Sequence, residues 1–321
     1  MNMLTTIFPV FAIALLGYVL TWTGVFRLGD IAGLTRYVFN VALPVLLFDS
    51  MSRMELPETV RWSFLLAYYI PGIIVFAAGA AVGRRLFGQS RIASGVYAMG
   101  CSYSNTVFLG LPVVAAAWGD AALLPLLLII AVHSLIYFTL TTAVVEFGRR
   151  GIRAGSSGRR AMLSVLGRTA MGMLRNPIVV GLLAGVIYNY AGLKVPGMVQ
   201  SVITPLRASA LPAALFVTGA ALRQYRPMGH MPEALTAIVL KLAVYPLLVW
   251  GVATVLFRLP AEWVAVAVVT AAMPTGINAS VFAVKYDAAV APVATAVLFG
   301  TALSLVSLTT LLLHFSPVVI G

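Results

Sequence analysis

The stretch Ser102-Tyr103-Ser104-Asn105-Thr106-Val107-Phe108-Leu109-Gly110-Leu111-Pro112 places polar residues, a glycine and a proline inside a segment that is otherwise apolar enough to span a bilayer. A second stretch of this kind, Ala271-Ala272-Met273-Pro274-Thr275-Gly276-Ile277-Asn278-Ala279-Ser280, lies near the corresponding place in the other half of the chain. In hydrocarbon, backbone groups that lose their helical partners must be satisfied by protein, water or ligand. The two stretches therefore predict a pair of broken helices at matched positions.

The composition is that of a membrane protein. Of the 321 residues, 61% are hydrophobic and 9% are charged, whereas roughly 25% of the residues in soluble domains are charged. The first residues, Met1-Asn2-Met3-Leu4, lack the basic segment of a cleavable signal, so we expect the first apolar run to be retained as a helix. Cys101 is the single cysteine, which excludes a disulfide within the chain.

The apolar runs predict an all-α polytopic fold with ten transmembrane helices, because about 20 apolar residues span a hydrocarbon layer of roughly 30 Å. The predicted spans are Leu4–Trp22, Ile31–Met51, Trp62–Val82, Ile92–Trp118, Ala121–Glu146, Pro177–Ala191, Val199–Leu222, Ala234–Phe257, Trp263–Tyr286 and Ala289–Phe315. Most Lys and Arg residues fall in cytoplasmic loops if both termini lie outside, in agreement with the positive-inside rule. We therefore expect a multi-pass protein of the bacterial inner membrane with both termini outside.

The long polar stretch between spans five and six, residues 148–175, is predicted to be a basic cytoplasmic linker. It contains seven arginines and the flexible Gly155-Ser156-Ser157-Gly158, and residues 161–174 are amphipathic enough to lie on the membrane surface. The net charge of +12 raises the alternative of nucleic-acid binding. Basic loops are the norm on the inner side of a membrane, so we expect contact with the lipid bilayer and no nucleic-acid partner.

An internal repeat relates the two halves of the chain. A shift of 168 residues places Pro9 on Pro177, Gly17 on Gly185, and Ala42–Phe48 (ALPVLLF) on Ala210–Phe216 (ALPAALF). Shifts of 167 and 173 place Asp120–Pro125 on Asp287–Pro292 and Asn105 on Asn278. Ordered matches at nearly one offset argue against chance resemblance between apolar helices. We predict two five-helix repeats, residues 1–147 and 176–321, and the second is inverted because five is an odd number.

The two breaks carry residue types that suit a buried anion. A broken helix presents free N–H groups at its new N-terminus, which attract a carboxylate, and Asn105 and Asn278 can donate amide N–H groups without a charge in the membrane. Further contacts to substrate are predicted from Tyr103, Ser104, Thr106 and Thr275, and Gly110, Pro112, Pro274 and Gly276 fit the breaks at the crossover. The alternative is that the polar side chains only join helices to one another. Two breaks in inverted repeats favour the substrate site of a transporter.

Four ionisable residues within the spans are candidates for charge or coupling. Lys241 could attract the anion or pair with a carboxylate, or it could extend its ammonium to the membrane surface. His133 could relay protons or serve as a hydrogen-bonded packing residue. Asp49 could take part in coupling or lie at the outer interface as a carboxylate. Arg207 could attract the substrate or extend to the outer surface.

The sequence shows no arrangement typical of an enzyme. Asp120 and Asp287 could suggest an aspartyl protease, but inversion would place these carboxylates on opposite membrane faces. The three histidines lack metal-ligand spacing, and no nucleophile is paired with a base. We therefore expect no catalytic residues, no metal site and no cofactor. A channel or a membrane-embedded enzyme is the alternative of a different class.

Three motifs make the chain similar to a known family. Asn40–Pro44 (NVALP), Ser104–Pro112 (SNTVFLGLP) and Met273–Asn278 (MPTGIN) resemble the auxin efflux carrier family, which includes plant auxin carriers and bacterial permeases for malate and malonate. The resemblance covers essentially the full length, and the short linker is similar to the bacterial branch. It implies a fold like that of sodium/bile-acid symporters and sodium/proton antiporters. In that fold spans one, two, six and seven form a scaffold, the other six form a mobile transport domain, and spans four and nine cross.

The resemblance also implies that the family's binding asparagines correspond to Asn105 and Asn278. Together with the paired breaks, it predicts a secondary transporter of a small organic anion, such as malate, malonate or an auxin-like acid, by elevator-type alternating access. A sodium- or proton-coupled symporter of bulkier, bile-acid-like anions is the alternative within this fold. We also consider a homodimer formed through the scaffold.

Overall fold

The computed structural model describes residues 3–54, 61–150, 167, 171–172, 175–225 and 230–320. The α-helices are α1 (Met3–Trp22), α2 (Leu28–Tyr37), α3 (Leu43–Arg53), α4 (Trp62–Arg85), α5 (Arg91–Ser102), α6 (Leu111–Trp118), α7 (Leu123–Arg150), α8 (Pro177–Tyr190), α9 (Gly197–Leu222), α10 (Met231–Val239), α11 (Tyr245–Gly251), α12 (Ala261–Ala271), α13 (Ile277–Tyr286) and α14 (Val290–Ile320). Within the described residues every regular element is helical, as the composition predicted. Most of the predicted linker, with its amphipathic part, lies outside them.

Six helical stretches among the described residues are long and apolar enough to cross a membrane. They are Leu28–Arg53, Trp62–Arg85, Leu123–Arg149, Gly197–Leu222, Met231–Leu256 and Val290–Phe315. Shorter apolar helices, Phe8–Trp22, Thr106–Trp118, Pro177–Tyr190 and Ala261–Ala271, lie where spans one, four, six and nine were predicted. The chain is therefore a multi-pass membrane protein, while the count of ten spans in inverted repeats stays a prediction.

Large apolar side chains on the helix surfaces are exposed. Met198 is 86% exposed and Val255 is 78% exposed, and leucines, isoleucines and valines of several helices are exposed beside them. Soluble proteins rarely expose contiguous apolar surfaces of more than a few hundred Å². In a bilayer these side chains face lipid tails, so their exposure is the expected arrangement.

Three π-helices each end two residues before a proline. Val38–Ala42 precedes Pro44, Thr106–Gly110 precedes Pro112, and Leu240–Val244 precedes Pro246. Proline has no N–H, and its ring collides with the carbonyl four residues earlier, so the regular α-helical ladder cannot continue. The wider π turn accommodates the proline. Gly110 thus closes a π-helix, and Pro112 stands in the first turn of α6.

The helices form two compact units, the first of which comprises Met1–Val60, Val107–Leu127 and Gly172–Gln224. In this unit α1 packs along α9, and α3 packs along α8. A Cβ atom on Gly17 would collide with the carbonyl of Phe216, and one on Gly185 would lie 2.7 Å from the carbonyl oxygen of Phe48. The shift of 168 residues pairs Gly17 with Gly185 and Phe48 with Phe216. In both helix pairs a glycine therefore packs against the backbone of a phenylalanine. The glycine comes from the first half of the chain in one pair and from the second half in the other.

The second unit comprises Arg61–Thr106, Leu128–Met171 and Tyr225–Gly321. In this unit α4 packs on α5, α13 packs on α5 and α14, and α10 packs on α14. Its core contains four fully buried tyrosines, Tyr68, Tyr97, Tyr137 and Tyr245. The predicted division into a 1–147 repeat, a 148–175 linker and a 176–321 repeat stays a prediction.

Candidate functional site

The two predicted helix breaks meet in the second unit. Helix α5 ends at Ser102 and α12 ends at Ala271, and the extended residues that follow them pair through an antiparallel bridge between Ser104 and Thr275. The backbone N–H of Asn105 donates to the carbonyl of Pro274, and that of Gly276 donates to the carbonyl of Tyr103, each at 2.9 Å. We call the paired residues 103–105 and 272–276 the crossing. Its hydrogen bonds satisfy backbone groups that the breaks release from the helical ladder.

Gly276 is needed because the two extended segments of the crossing lie very close together. Its backbone φ is −72°, which any residue can adopt. A Cβ atom at this position, however, would lie 2.7 Å from two ring carbons of Tyr103 and 3.1 Å from the carbonyl oxygen of Ser104. The glycine that the sequence marks as a helix breaker acts here by removing a side chain from the crossing.

The helix ends at the crossing are held by donors from other segments. The hydroxyl of Thr275 donates to the carbonyl of Gly100 in the last turn of α5, at 2.7 Å. The ammonium of Lys241 donates to the carbonyl of Ala271, the last residue of α12. Lys241 is 1% exposed, so it does not extend to the membrane surface.

Asn105 lies in the first extended segment of the crossing and Asn278 lies in the first turn of α13, and their side chains differ in their surroundings. The amide of Asn278 donates to the hydroxyl of Tyr103 at 2.9 Å, and the Asn278 side chain is exposed. The same tyrosine hydroxyl lies 3.1 Å from the hydroxyl of Ser134. Asn105 is 7% exposed, and its side-chain amide makes no hydrogen bond to the part of the chain that the structure describes. Asn105 is thus left with unused donors and an acceptor.

The hydroxyl groups that were predicted as substrate contacts are largely occupied by the protein. Ser104 accepts a hydrogen bond from the Tyr68 hydroxyl at 3.1 Å, and Thr275 donates to Gly100. Thr106 is 3% exposed and begins the π-helix Thr106–Gly110. A role of these residues in substrate binding stays a prediction.

His133 stands directly behind the crossing. Its Nε2 accepts the backbone N–H of Ser104 at 3.2 Å, so this nitrogen is unprotonated and Nδ1 carries the hydrogen. The ring lies among tyrosines, with centroid separations of 4.6 Å to Tyr103 and 4.9 Å to Tyr137. Among the described residues Nδ1 has no hydrogen-bond partner. This geometry favours the packing interpretation of His133, and proton relay stays a prediction.

A network of charged side chains in the first unit was not apparent from the sequence. Asp49 is 1% exposed and binds Arg207, Arg53 at 3.0 Å and Gln200 at 3.2 Å. Arg207 also pairs with Asp120, just after α6. Asp49 is therefore buried and ion-paired, and Arg207 is ion-paired to two carboxylates. The places of both residues relative to the membrane surface, and a role of either in coupling or in attracting substrate, stay predictions. The pairing of these residues was not predicted, because it depends on contacts between positions that are 158 and 87 residues apart in the chain.

The chemistry of the crossing suits a carboxylate. The first N–H groups of α13, which begins at Ile277, have no partners within the helix, and the helix dipole makes this end attractive to anions. Amide donors on Asn105 and Asn278 add neutral hydrogen-bond donors beside it. Within the described residues, no group of three or more His, Cys, Asp and Glu side chains is placed to hold a metal ion.

Comparison with known proteins identifies the family. The membrane transport protein family matches residues 2–312. The "Putative malonate transporter" of Rhizobium meliloti is 28% identical, over 95% of this chain and 93% of the relative. The "Uncharacterized transporter" of Methanothermobacter thermautotrophicus is 29% identical, over 94% and 95%. The "Auxin efflux carrier component 5" of Arabidopsis thaliana is 22% identical, over 92% of both chains. The motifs in the sequence predicted this relationship correctly, and the chain belongs to the membrane transport protein family that includes the auxin efflux carriers.

Proposed function

We propose that the protein is a secondary transporter of a small organic anion, with a mono- or dicarboxylate bound at the crossing of the two broken helices. The observation that carries this proposal is the Ser104–Thr275 bridge, beside which the amide of Asn105 has no partner among the described residues. An amide with unused hydrogen-bonding groups next to a helix N-terminus is a neutral device for holding a carboxylate in a membrane.

Within the site, the two asparagines take the role of substrate contacts, and neighbouring residues hold the Asn278 amide and the backbone of the crossing in place. The Tyr103 hydroxyl fixes the Asn278 amide, and Ser134 fixes that hydroxyl in turn. The Ser104 hydroxyl accepts a hydrogen bond from Tyr68, and the Thr275 hydroxyl donates one to the carbonyl of Gly100. These two hydrogen bonds stabilise the crossing itself. Binding at Asn278 then requires little rearrangement, because this donor is already oriented.

Movement of the substrate is proposed to follow an elevator-type alternating access in ten spans arranged as two inverted repeats. The exchanged contacts of Gly17 with Phe216 and of Gly185 with Phe48 support such a repeat. Spans one, two, six and seven would form the scaffold, through which a homodimer could assemble, and the remaining spans would carry the substrate. We place the protein in the bacterial inner membrane with both termini outside, as the distribution of basic residues favours.

The names of the relatives suggest which carboxylates to test. The name of the Rhizobium meliloti relative suggests malonate, and the name of the Arabidopsis thaliana relative suggests an auxin-like acid. Each relative aligns over more than nine-tenths of its length. Malonate is the first choice, because the short polar side chains of the crossing match two small carboxylates better than an aromatic ring. Bulkier, bile-acid-like anions with sodium or proton coupling are the alternative.

A thermal-shift titration of the purified protein in detergent tests the substrate class. Malonate, malate, indole-3-acetate and cholate are compared with sulfate at equal ionic strength. A ligand that binds the native state raises the melting temperature in a saturable way, and malonate or malate is expected to do so. The proposal would be contradicted if none of the four carboxylates shifted the melting temperature beyond the shift produced by sulfate.

A further inference from the structure

Lys241 is a cation buried in the interior of the second unit. It lies in the π-helix Leu240–Val244, which packs against α4, α5 and α14, and the residue is 1% exposed. None of the ion pairs among the described residues includes it. A charged group in such a place is costly unless other groups replace its hydration.

The groups around the ammonium are those that bind cations. Nζ donates to the carbonyl of Ala271, where α12 ends at the crossing, and it lies 4.9 Å from the ring centroid of Tyr245. The C-terminus of a helix carries partial negative charge, and the face of an aromatic ring attracts a cation. In transporters built from discontinuous helices, the C-terminal ends of half-helices coordinate the coupling cation.

The other half-helix end at the crossing is satisfied differently. The carbonyl of Gly100, in the last turn of α5, accepts a hydrogen bond from the neutral Thr275 hydroxyl. The two ends are therefore not equivalent, although they belong to breaks that the repeat relates. A positive charge is supplied at the end of α12 by the protein's own side chain.

We infer that Lys241 is a built-in cation that occupies the position of a coupling cation at the end of α12, so that transport proceeds without sodium. This inference rests on the proposed function, because it concerns the ion requirement of the same site. Lys241 acts as a positioning residue, which holds the end of α12 and thereby the extended residues that carry Thr275 and Gly276. The inference also argues against sodium coupling at this site, because a site that holds the ammonium of a lysine leaves no place there for a sodium ion.

The first test uses the unaltered protein in liposomes, with uptake of labelled malonate measured in sodium chloride and in choline chloride. The initial rates are expected to agree within about twofold, because no sodium ion takes part in the change of state. A rate that collapses in choline would overturn the inference alone. An absence of uptake in both salts would instead contradict the proposed function, and the inference is then decided by the second test.

The second test needs no substrate and measures melting temperature. The unaltered protein is expected to melt at the same temperature in sodium and in choline, whereas saturable stabilisation by sodium would show an open cation site and overturn the inference. Lys241→Ala is expected to melt at a lower temperature and to recover in ethylammonium chloride, because a cation that binds only the native state stabilises it.

Lys285→Ala is the matched control, since Lys285 is exposed and the partners of its ammonium among the described residues are the rings of Phe282 and Tyr286. It is expected to show no response to ethylammonium. An equal response of the two alanine variants would contradict the assignment of Lys241 to a cation site. If Lys241→Ala does not fold, the sodium comparison on the unaltered protein decides the matter by itself.

Discussion

The backbone N–H of Ser104 donates to Nε2 of His133 across 3.2 Å, so a side chain 29 positions away holds one strand of the crossing. Both residues are 1% exposed, and water does not offer an alternative partner at the surface. The imidazole must be neutral to accept this bond. The crossing thus depends on four kinds of support: its own backbone bridge, the hydroxyl of Thr275, the ammonium of Lys241 and the ring of His133.

Replacement of His133 by leucine is expected to destabilise the protein by about 1–3 kcal/mol, because the Ser104 N–H would be left buried without an acceptor. His133→Gln, whose amide oxygen can take the position of Nε2, is expected to lose less. Melting temperatures in detergent compare the two variants. Equal melting temperatures for the leucine and glutamine variants would mean that the hydrogen bond contributes nothing to stability.

Replacement of Gly276 by alanine is expected to disrupt the crossing, because its Cβ would lie 2.7 Å from two carbons of the Tyr103 ring. Overpacking of this kind costs about 1–3 kcal/mol, and movement of Tyr103 would also release Asn278. The control is Gly251→Ala, at the end of α11, where a Cβ would meet nothing within 4 Å. Malonate-induced thermal stabilisation should be lost in the first variant and kept in the second. Retention of malonate binding by Gly276→Ala would argue against the site.

The hydroxyl of Tyr103 is expected to matter for affinity more than for folding. Tyr103→Phe removes the partner of the Asn278 amide, and a hydrogen bond worth about 1 kcal/mol corresponds to a loss of roughly fivefold in affinity. Ser134→Ala removes the other partner of the same hydroxyl and should lower affinity less. Titrations of malonate followed by thermal shift give both values. A larger loss for Ser134→Ala than for Tyr103→Phe would show that Asn278 is not oriented in this way.

The Arg207 network predicts unequal effects for its two carboxylates. The Asp49 side chain is 2% exposed and that of Asp120 is 63% exposed. Arg207→Gln leaves a buried carboxylate with one arginine fewer and is expected to cost about 3 kcal/mol, whereas Asp120→Asn breaks an exposed pair and costs about 0–1 kcal/mol. The double variant Asp49→Asn with Arg207→Gln should regain part of the loss. Equal melting temperatures for the two single variants would contradict the assigned burial.

The sequence predicted the features that depend on local chemistry. Glycine, proline and polar residues within apolar runs marked both breaks, and the structure has an interruption at Tyr103–Asn105 and another at Ala272–Gly276. The prolines also account for three π-helices, which were not predicted, and of Pro44, Pro112 and Pro246 only Pro112 was assigned to a break. The all-helical class followed from composition, because apolar segments in lipid must satisfy their own backbone groups.

Contacts between distant segments could not be predicted in the same way. Nothing in the sequence around Lys241 indicates that its ammonium meets the carbonyl of Ala271, and none of the interpretations offered for Lys241 included this contact. The bonds from Ser104 to His133 and from Arg207 to both Asp49 and Asp120 likewise arise from packing between helices. A single buried polar residue shows that a partner is needed, but its position along the chain does not identify that partner.

Counterflow of labelled malonate tests the central claim most directly. Liposomes that contain the protein are loaded with unlabelled malonate, and entry of the label is measured for the unaltered chain, for Asn105→Ala with Asn278→Ala, and for Asn176→Ala. Asn176 caps α8, so its variant should lose stability but keep transport.

The unaltered protein is expected to accumulate label, and the double variant is expected to be slower by about 100-fold, because two hydrogen bonds to a charged ligand are lost. A folded double variant that exchanges malonate at the rate of the unaltered protein would contradict the placement of the substrate at the crossing.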